Sequence, residues 1–290
     1  MPVLYSYTAM IPSLPPSTGP IGVFDSGYGG LTILDKIRGL MPEYDYIYLG
    51  DSARCPYGPR SFEVVYEFTL QAVSKLFELG CPLVILACNT ASAKALRTIQ
   101  QINLPVIDAT RRVLGVIRPT AECIGEITRT RPEDTLPPAG TIKSESYLLE
   151  IHKLSPDIVV TGEACPMWVS LVENNEYQSE GADYFVKQHI NRLLDKDPMI
   201  DTIILGCTHY PLLLDKIRQF TPGHIRIIAQ GEYVARSLQD YLNRHPEMDA
   251  RCEKGGKCRF LTTESENKFE ESASIFLGRQ DIKVESIALE

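Results

Sequence analysis

The chain has 290 residues, 44% of them hydrophobic, and a formal net charge of -8. That is enough apolar material for one large or two ordinary cores, while the acidic balance leaves no basic footprint for nucleic acid, and no apolar run approaches the roughly 20 residues that cross a bilayer. Eight cysteines without a regular framework argue against a disulfide scaffold and for a reducing, cytoplasmic setting.

Residues 1–19 contain no Lys or Arg and are broken by prolines, so they read as a flexible arm and not as a secretory signal. Ile21 to Phe24 is a short strand running into Asp25-Ser26-Gly27-Tyr28-Gly29-Gly30, and Leu31, Leu34 and Ile37 then recur at helical spacing. The glycines fit neither G-x-G-x-x-G nor a Walker lysine motif; they are expected to let backbone N–H groups approach a small anion at the helix start. Asp25, at the strand end, is either a helix cap or a catalytic carboxylate. Tyr46 to Leu49 is the second strand, Gly50 to Arg60 a turn-rich loop near a site, and Phe62 to Leu79 a long helix ended by Pro82. Leu83 begins the run LVILACNTASA, in which a strand ends at Cys88; Ala91 to Ile102 is helical, and Leu104 to Asp108 reads as another strand.

A hinge is expected near Val116 to Thr120, followed by a proline-rich loop over Thr128 to Gly140 and a helix over Ser144 to Leu154. Ile158 to Thr161 is a strand, Cys165-Pro166 leads into Met167 to Glu173, and Tyr184 to Leu194 carries an apolar stripe of the kind that faces a core. The run TIILGCTHYP, Thr202 to Pro211, brings Cys207 to a second strand end; Leu213, Leu214 and Ile217 give the next helix its buried face. Ile225 to Ile228 is a strand at which the chain is expected to cross back, with Glu232 to Leu242 and Lys268 to Leu289 completing the first unit and Pro246 to Lys257 as a polar insertion. The expected division is a first α/β domain of residues 20–117 plus 224–290 and a second of 118–223. Cys252 and Cys258, in CEKGGKC, are the nearest approach to a ligand pair or a surface disulfide, and the spacing around His209 is not that of a zinc site.

The two halves echo each other. DYIYLG followed by Asp51 matches DIVVTG followed by Glu163, each is followed by Cys-Pro (Cys55-Pro56, Cys165-Pro166), and each then leads through a helix to a cysteine turn. An internal duplication follows: two α/β halves, each a mostly parallel sheet flanked by helices, presenting Cys88 and Cys207 across one cleft. One cysteine at a strand end is more often a small buried hydrophobe. Two in matched contexts point to chemistry, since a thiol at a helix start can be made available as base or nucleophile. Nucleophilic catalysis needs one thiol. Removing a proton from one face of a carbon and returning one to the other needs two, with Asn89-Thr90 and Thr208-His209 placed to hydrogen bond the substrate.

The blocks FDSGYGGL, CPYG, ACNTAS, AGTIKSESY and GCTHYP, in this order over most of Ile21 to Leu289, resemble the cofactor-independent glutamate racemases of bacterial cell-wall synthesis. The resemblance implies two α/β domains with the site between them, usually as homodimers, and D-glutamate made for peptidoglycan without pyridoxal phosphate, nucleotide or metal. It implies Cys88 and Cys207 as the catalytic acid/bases, Asp25 assisting the first, His209 partnering the second and Glu173 as a further assisting acid. Asp25, Ser26, Tyr57, Gly58, Asn89, Thr90, Thr208 and His209 would hold the substrate. The arm before Pro20, the long link before Gly140 and the segment Pro246 to Lys257 depart from the family's pattern and bear on assembly and regulation more than on chemistry. The competing readings are racemisation of aspartate or another amino acid, a related decarboxylase, which needs one proton donor only, and a two-domain amino-acid binding or sensor protein, which needs no matched thiols.

Overall fold

A computed structural model describes residues 18–127, 132–136, 145–278 and 282–289. Most of the expected arm, and the first six residues of the AGTIKSESY block, lie outside the described residues. Two parallel sheets organise the rest. The first runs β10-β9-β2-β1-β3-β4, with β1 Ile21–Asp25, β2 Tyr46–Gly50, β3 Leu83–Leu86, β4 Arg112–Gly115, β9 Cys258–Thr262 and β10 Val284–Ser286. The second runs β6-β5-β7-β8, with β5 Pro132–Leu136, β6 Val159–Gly162, β7 Thr202–Leu205 and β8 Arg226–Ala229.

The strand residues alternate between two buried faces, as a sheet covered on both sides requires. Ile21, Val23, Tyr46, Tyr48, Leu83 and Ile85 pack under helices α1 (Leu31–Leu40), α9 (Gly231–Arg244) and α10 (Glu266–Leu277). Phe24, Ile47, Leu49, Val84 and Leu86 pack on the other side under α2 (Phe62–Glu78) and α3 (Asn89–Lys94). In the second sheet Ile203 and Leu205 meet α7 (Glu180–Lys196), while Ile204 faces α4 (Ile117–Ile127) and α5 (Ser146–Leu154). The helices α6 (Trp168–Glu173) and α8 (Leu214–Phe220) complete the second unit.

The segment β2-β1-β3-β4 and the whole of β6-β5-β7-β8 have the same order and direction, which is the duplication that the sequence echo implies. In each unit the order reverses beside the first strand. A crevice therefore opens at the carboxyl ends of β1 and β3 and, equivalently, of β5 and β7.

Four expectations need correction. Leu104 to Asp108 is not a strand: Leu104–Ile107 is a helical turn with Pro105 early in it, and Arg112–Gly115 pairs with β3 instead. Val106 is 78% exposed, which a strand covered on both faces would not allow. The stretch Thr128 to Gly140 is not only a loop, because it holds β5 between β6 and β7; pairing on both edges overrides a composition poor in strand formers. The chain does not return to the first unit at 224, since β8 pairs with β7 and the return falls after Ala229. Finally, Pro246 to Lys257 is not an appended insertion: Met248 and Cys252 are buried in the first core, and Cys252 forms an isolated bridge with Gly19. None of the eight cysteines is in a disulfide, Cys252 and Cys258 included. Among the described residues no helix is long and apolar enough to cross a membrane.

Candidate active site

The crevice predicted by the strand order is occupied by a cavity of about 200 Å³. Ser26, Tyr57, Gly58, Cys88, Asn89, Thr90, Cys207, Thr208 and His209 line it, together with residues for which the sequence suggests no role: Cys55, Pro56, Pro59, Cys165, Pro166, Val169 and Ser170. Cys88 and Cys207 each stand two residues beyond the end of a central strand, β3 and β7, and both are buried. The two Cys-Pro elements also match across the cavity, so the repeat that marks the duplication was the available signal for Cys55 and Cys165.

On the first unit, the Cys88 thiol donates to Ser26 Oγ at 3.4 Å, and its sulfur accepts from Ala91 N at 3.5 Å as the cap of α3. Burial first, and the nearby Asp25 second, push this thiol up to about 12; the bonds to Ser26 and Ala91 only partly oppose them. Asp25 is fully buried behind the cavity, accepting from Gly27 N at 3.0 Å and from Thr208 Oγ1 at 3.3 Å. Burial raises its carboxyl above the usual value despite the charge of His209 and the N–H groups of Gly27 and Gly30. It acts on Cys88 through its field, while Ser26 makes the direct contact.

On the second unit, His209 Nδ1 lies 3.7 Å from Cys207 Sγ and its Nε2 is 2.9 Å from Glu173 Oε1. The Cys55 thiol, from the first unit, donates to the same oxygen at 3.1 Å. Burial disfavours a charged imidazole, but Cys207 and Glu173 outweigh it and hold His209 well above its ordinary value. Burial likewise raises Glu173, yet the hydrogen bonds and charge of His209, with the bond from Cys55, bring it below the ordinary carboxyl value. The result is a buried imidazolium–carboxylate pair with its positive end against Cys207. Glu173 is behind His209 and does not line the cavity.

Two of the expected substrate-binding side chains have partners within the protein. The Tyr57 hydroxyl donates to the buried Asp51, and its ring packs against Phe24 and Phe68. Asn89 lines the cavity, but its Oδ1 accepts from Tyr147 and its Nδ2 donates to Gln230 Oε1 at 2.7 Å. Tyr147 closes the AGTIKSESY block, to which no site role attached, and Gln230 belongs to none of the quoted blocks; each lies far along the chain from the turn that it supports.

The glycines of GYGG have a use other than the expected anion approach. A Cβ on Gly29 would fall 2.4 Å from Thr208 Oγ1 and 2.5 Å from His209 Nδ1, and one on Gly27 would fall 2.8 Å from Glu173 Oε1. Bare backbone at these points lets the second unit's turn close against the first.

The profile of the Asp/Glu/Hydantoin racemase family matches residues 32–238. The chain is similar to a glutamate racemase of Ruegeria sp. (strain TM1040), 37% identical over 90% of this chain and 97% of that protein. Among solved structures, a glutamate racemase isoform from Bacillus anthracis superposes with a TM-score of 0.84 at 35% identity, covering 93% of this chain and 98% of that one. One from Francisella tularensis, solved with D-glutamate, superposes at 0.82 and 30% identity, covering 94% and 98%.

Proposed function

The chain belongs to the Asp/Glu/Hydantoin racemase family, and from that premise we propose that it interconverts L- and D-glutamate, with Cys88 and Cys207 as the two acid/bases. The observation that carries this reading is the pair of matched thiols at equivalent ends of equivalent central strands, both facing one cavity. A site of about 200 Å³, below the roughly 300–1,000 Å³ of pockets for drug-sized ligands, suits one amino acid.

The two sides are set up differently. Cys88 is held as a thiol by burial and by Asp25, ready to donate a proton. On the other side His209, fixed by Glu173, lies 3.7 Å from the Cys207 sulfur. In the L-to-D direction Cys207 thiolate takes the Cα proton and becomes a thiol; Cys88 gives its proton to the opposite face of the carbanion and becomes a thiolate. The D-to-L direction exchanges the roles. One proton leaves and one arrives, so no oxidant, reductant or co-substrate enters the balance. Ser26, Thr90 and Thr208, which line the cavity, would hold the substrate's charged groups. The role inferred for the product is supply of D-glutamate to peptidoglycan in the cytoplasm, by a homodimer; this rests on the resemblance in sequence.

The test is to incubate purified protein with L-glutamate alone and follow the circular dichroism to zero. Persistence of the signal, or a kcat/KM for aspartate comparable with that for glutamate, would move the assignment to another substrate of the family.

A further inference from the structure

Asn89, Tyr147 and Gln230 come from three distant parts of the chain and close a ring of hydrogen bonds. Asn89 Nδ2 donates to Gln230 Oε1 at 2.7 Å, Gln230 Nε2 donates to the Tyr147 hydroxyl at 2.5 Å, and that hydroxyl donates to Asn89 Oδ1 at 2.5 Å. The directions are consistent around the ring, each group giving one hydrogen and accepting another. All three residues are at most 4% exposed. Gln230 Nε2 also reaches Thr120 Oγ1 at 2.9 Å, and Thr120 in turn donates to Val116 O at 2.9 Å.

The position of the ring gives it consequence. Val116 and Thr120 belong to the segment that leaves the first sheet for the second, and Gln230 directly follows β8, where the chain comes back. Tyr147 is on α5 of the second unit, and Asn89 follows Cys88. Both connections between the units, a helix of the second unit and the turn bearing one thiol are thus tied at a single amide. A buried amide left with one partner missing is costly, so the ring resists any shift that opens it. Burial raises the Tyr147 phenol above its ordinary value, with Cys207 and Cys123 the titratable groups that add to the shift and the bond from Gln230 opposing it.

We propose that Gln230 is a positioning residue for the Cys88 turn: by closing the ring with Asn89 and Tyr147 it fixes that thiol relative to the second unit. This rests on the two-thiol reading given above. It goes beyond that reading in assigning a role to two residues that do not touch the cavity.

The variants Gln230→Glu and Tyr147→Phe test it. An ionised carboxylate accepts from Asn89 but has no hydrogen for Tyr147, whereas a protonated carboxyl does both. For Gln230→Glu, kcat/KM for glutamate is expected to fall at least about tenfold at alkaline pH, a loss of about 1.4 kcal/mol in transition-state stabilisation. The ratio of variant to wild type should climb back as pH is lowered. Tyr147→Phe should lose a similar factor with a pH-independent ratio, chiefly in kcat, and combining the two should cost less than the product of the single losses. In the ligand-free protein, the rate of iodoacetamide reaction at Cys88 relative to Cys207 should change in both variants. Kinetic constants within twofold of wild type for both variants, with an unchanged alkylation ratio, would overturn the proposal, and so would a pH-independent defect in Gln230→Glu. Wild-type protein that does not act on glutamate would count against the functional reading, while the alkylation ratio, which needs no substrate, would still judge the ring.

Discussion

Cys88 and Cys207 occupy equivalent strand ends yet meet different partners: a buried carboxyl and a serine on one side, an imidazolium backed by a carboxylate on the other. If both work on one carbon, neither is dispensable. Cys88→Ala and Cys207→Ala should each lower the rate in both directions by at least the roughly 10² to 10⁴ that a general acid or base contributes. Serine replacements should leave opposite partial exchanges in D2O, with Cys88→Ser still removing the proton of the L-form and Cys207→Ser that of the D-form. Two mutants with the same preference would break the assignment. The Glu173–His209 pair gives a pH prediction. The folded pKa of His209 lies above its ordinary value near 6.5, so its contribution to stability is complete below that value and disappears as pH rises through the raised pKa. Glu173 is depressed, so its contribution holds above the ordinary carboxyl range and disappears as pH falls through the lowered value. The pair is therefore intact between those two limits. Glu173→Gln removes the charge and the strong acceptor, so the His209 titration, followed by NMR of the ring protons, should move to lower pH and bring the alkaline limb of activity with it. An unmoved titration would show that Cys207 alone holds the proton on His209.

The turn between β1 and α1 is where two elements from different units come closest. Ala at position 29 would put a methyl inside the Thr208–His209 turn, and the far turn, being held by β7 and by Glu173, has little freedom to retreat. Displacement of about 1 Å in a reacting group costs on the order of a hundredfold, so Gly29→Ala should lose at least that in kcat while the protein still folds. Gly39, near the end of α1, is the control: a Cβ there meets nothing within 4 Å, and Gly39→Ala should leave activity unchanged and stabilise by about 0.5–1 kcal/mol in thermal unfolding. Equal effects of the two substitutions would mean that the closeness at Gly29 is without function. This turn also shows what a sequence yields at this scale. Strand, glycines and helix are legible from local composition, but the reason for the glycines is on the other unit. Long-range pairing likewise decided β5, a strand written in PEDTL, while Leu104–Ile107, whose apolar side chains suggested a strand, is a helical turn that buries Leu104 and exposes Val106 and Ile107.

In the whole molecule, the repeat of one strand order in two sheets places four thiols, Cys55, Cys88, Cys165 and Cys207, around one cavity. The duplication and both cysteine turns were legible because the same short blocks recur in the same order; the ring was not, because although Tyr147 lies in a quoted block, its pairing joins single residues across 141 and 83 positions and has no internal echo. The point at which the chain re-enters the first unit was misplaced for a related reason, since an edge strand such as β8 carries no mark of which sheet it joins. If the two units close over a substrate, they should shield every cavity thiol at once. Cys123 and Cys258 are partly buried and do not line the cavity, which makes them internal references within the same chain. Alkylation followed by peptide mapping should therefore show glutamate slowing modification of Cys88 and Cys207, and of Cys55 and Cys165 beside them, while Cys123 and Cys258 react at the same rate with and without it. Protection of all six to the same extent would indicate a general stiffening of the protein. Protection of none would place the substrate outside the cleft between the sheets, and the role given to the paired thiols would go with it.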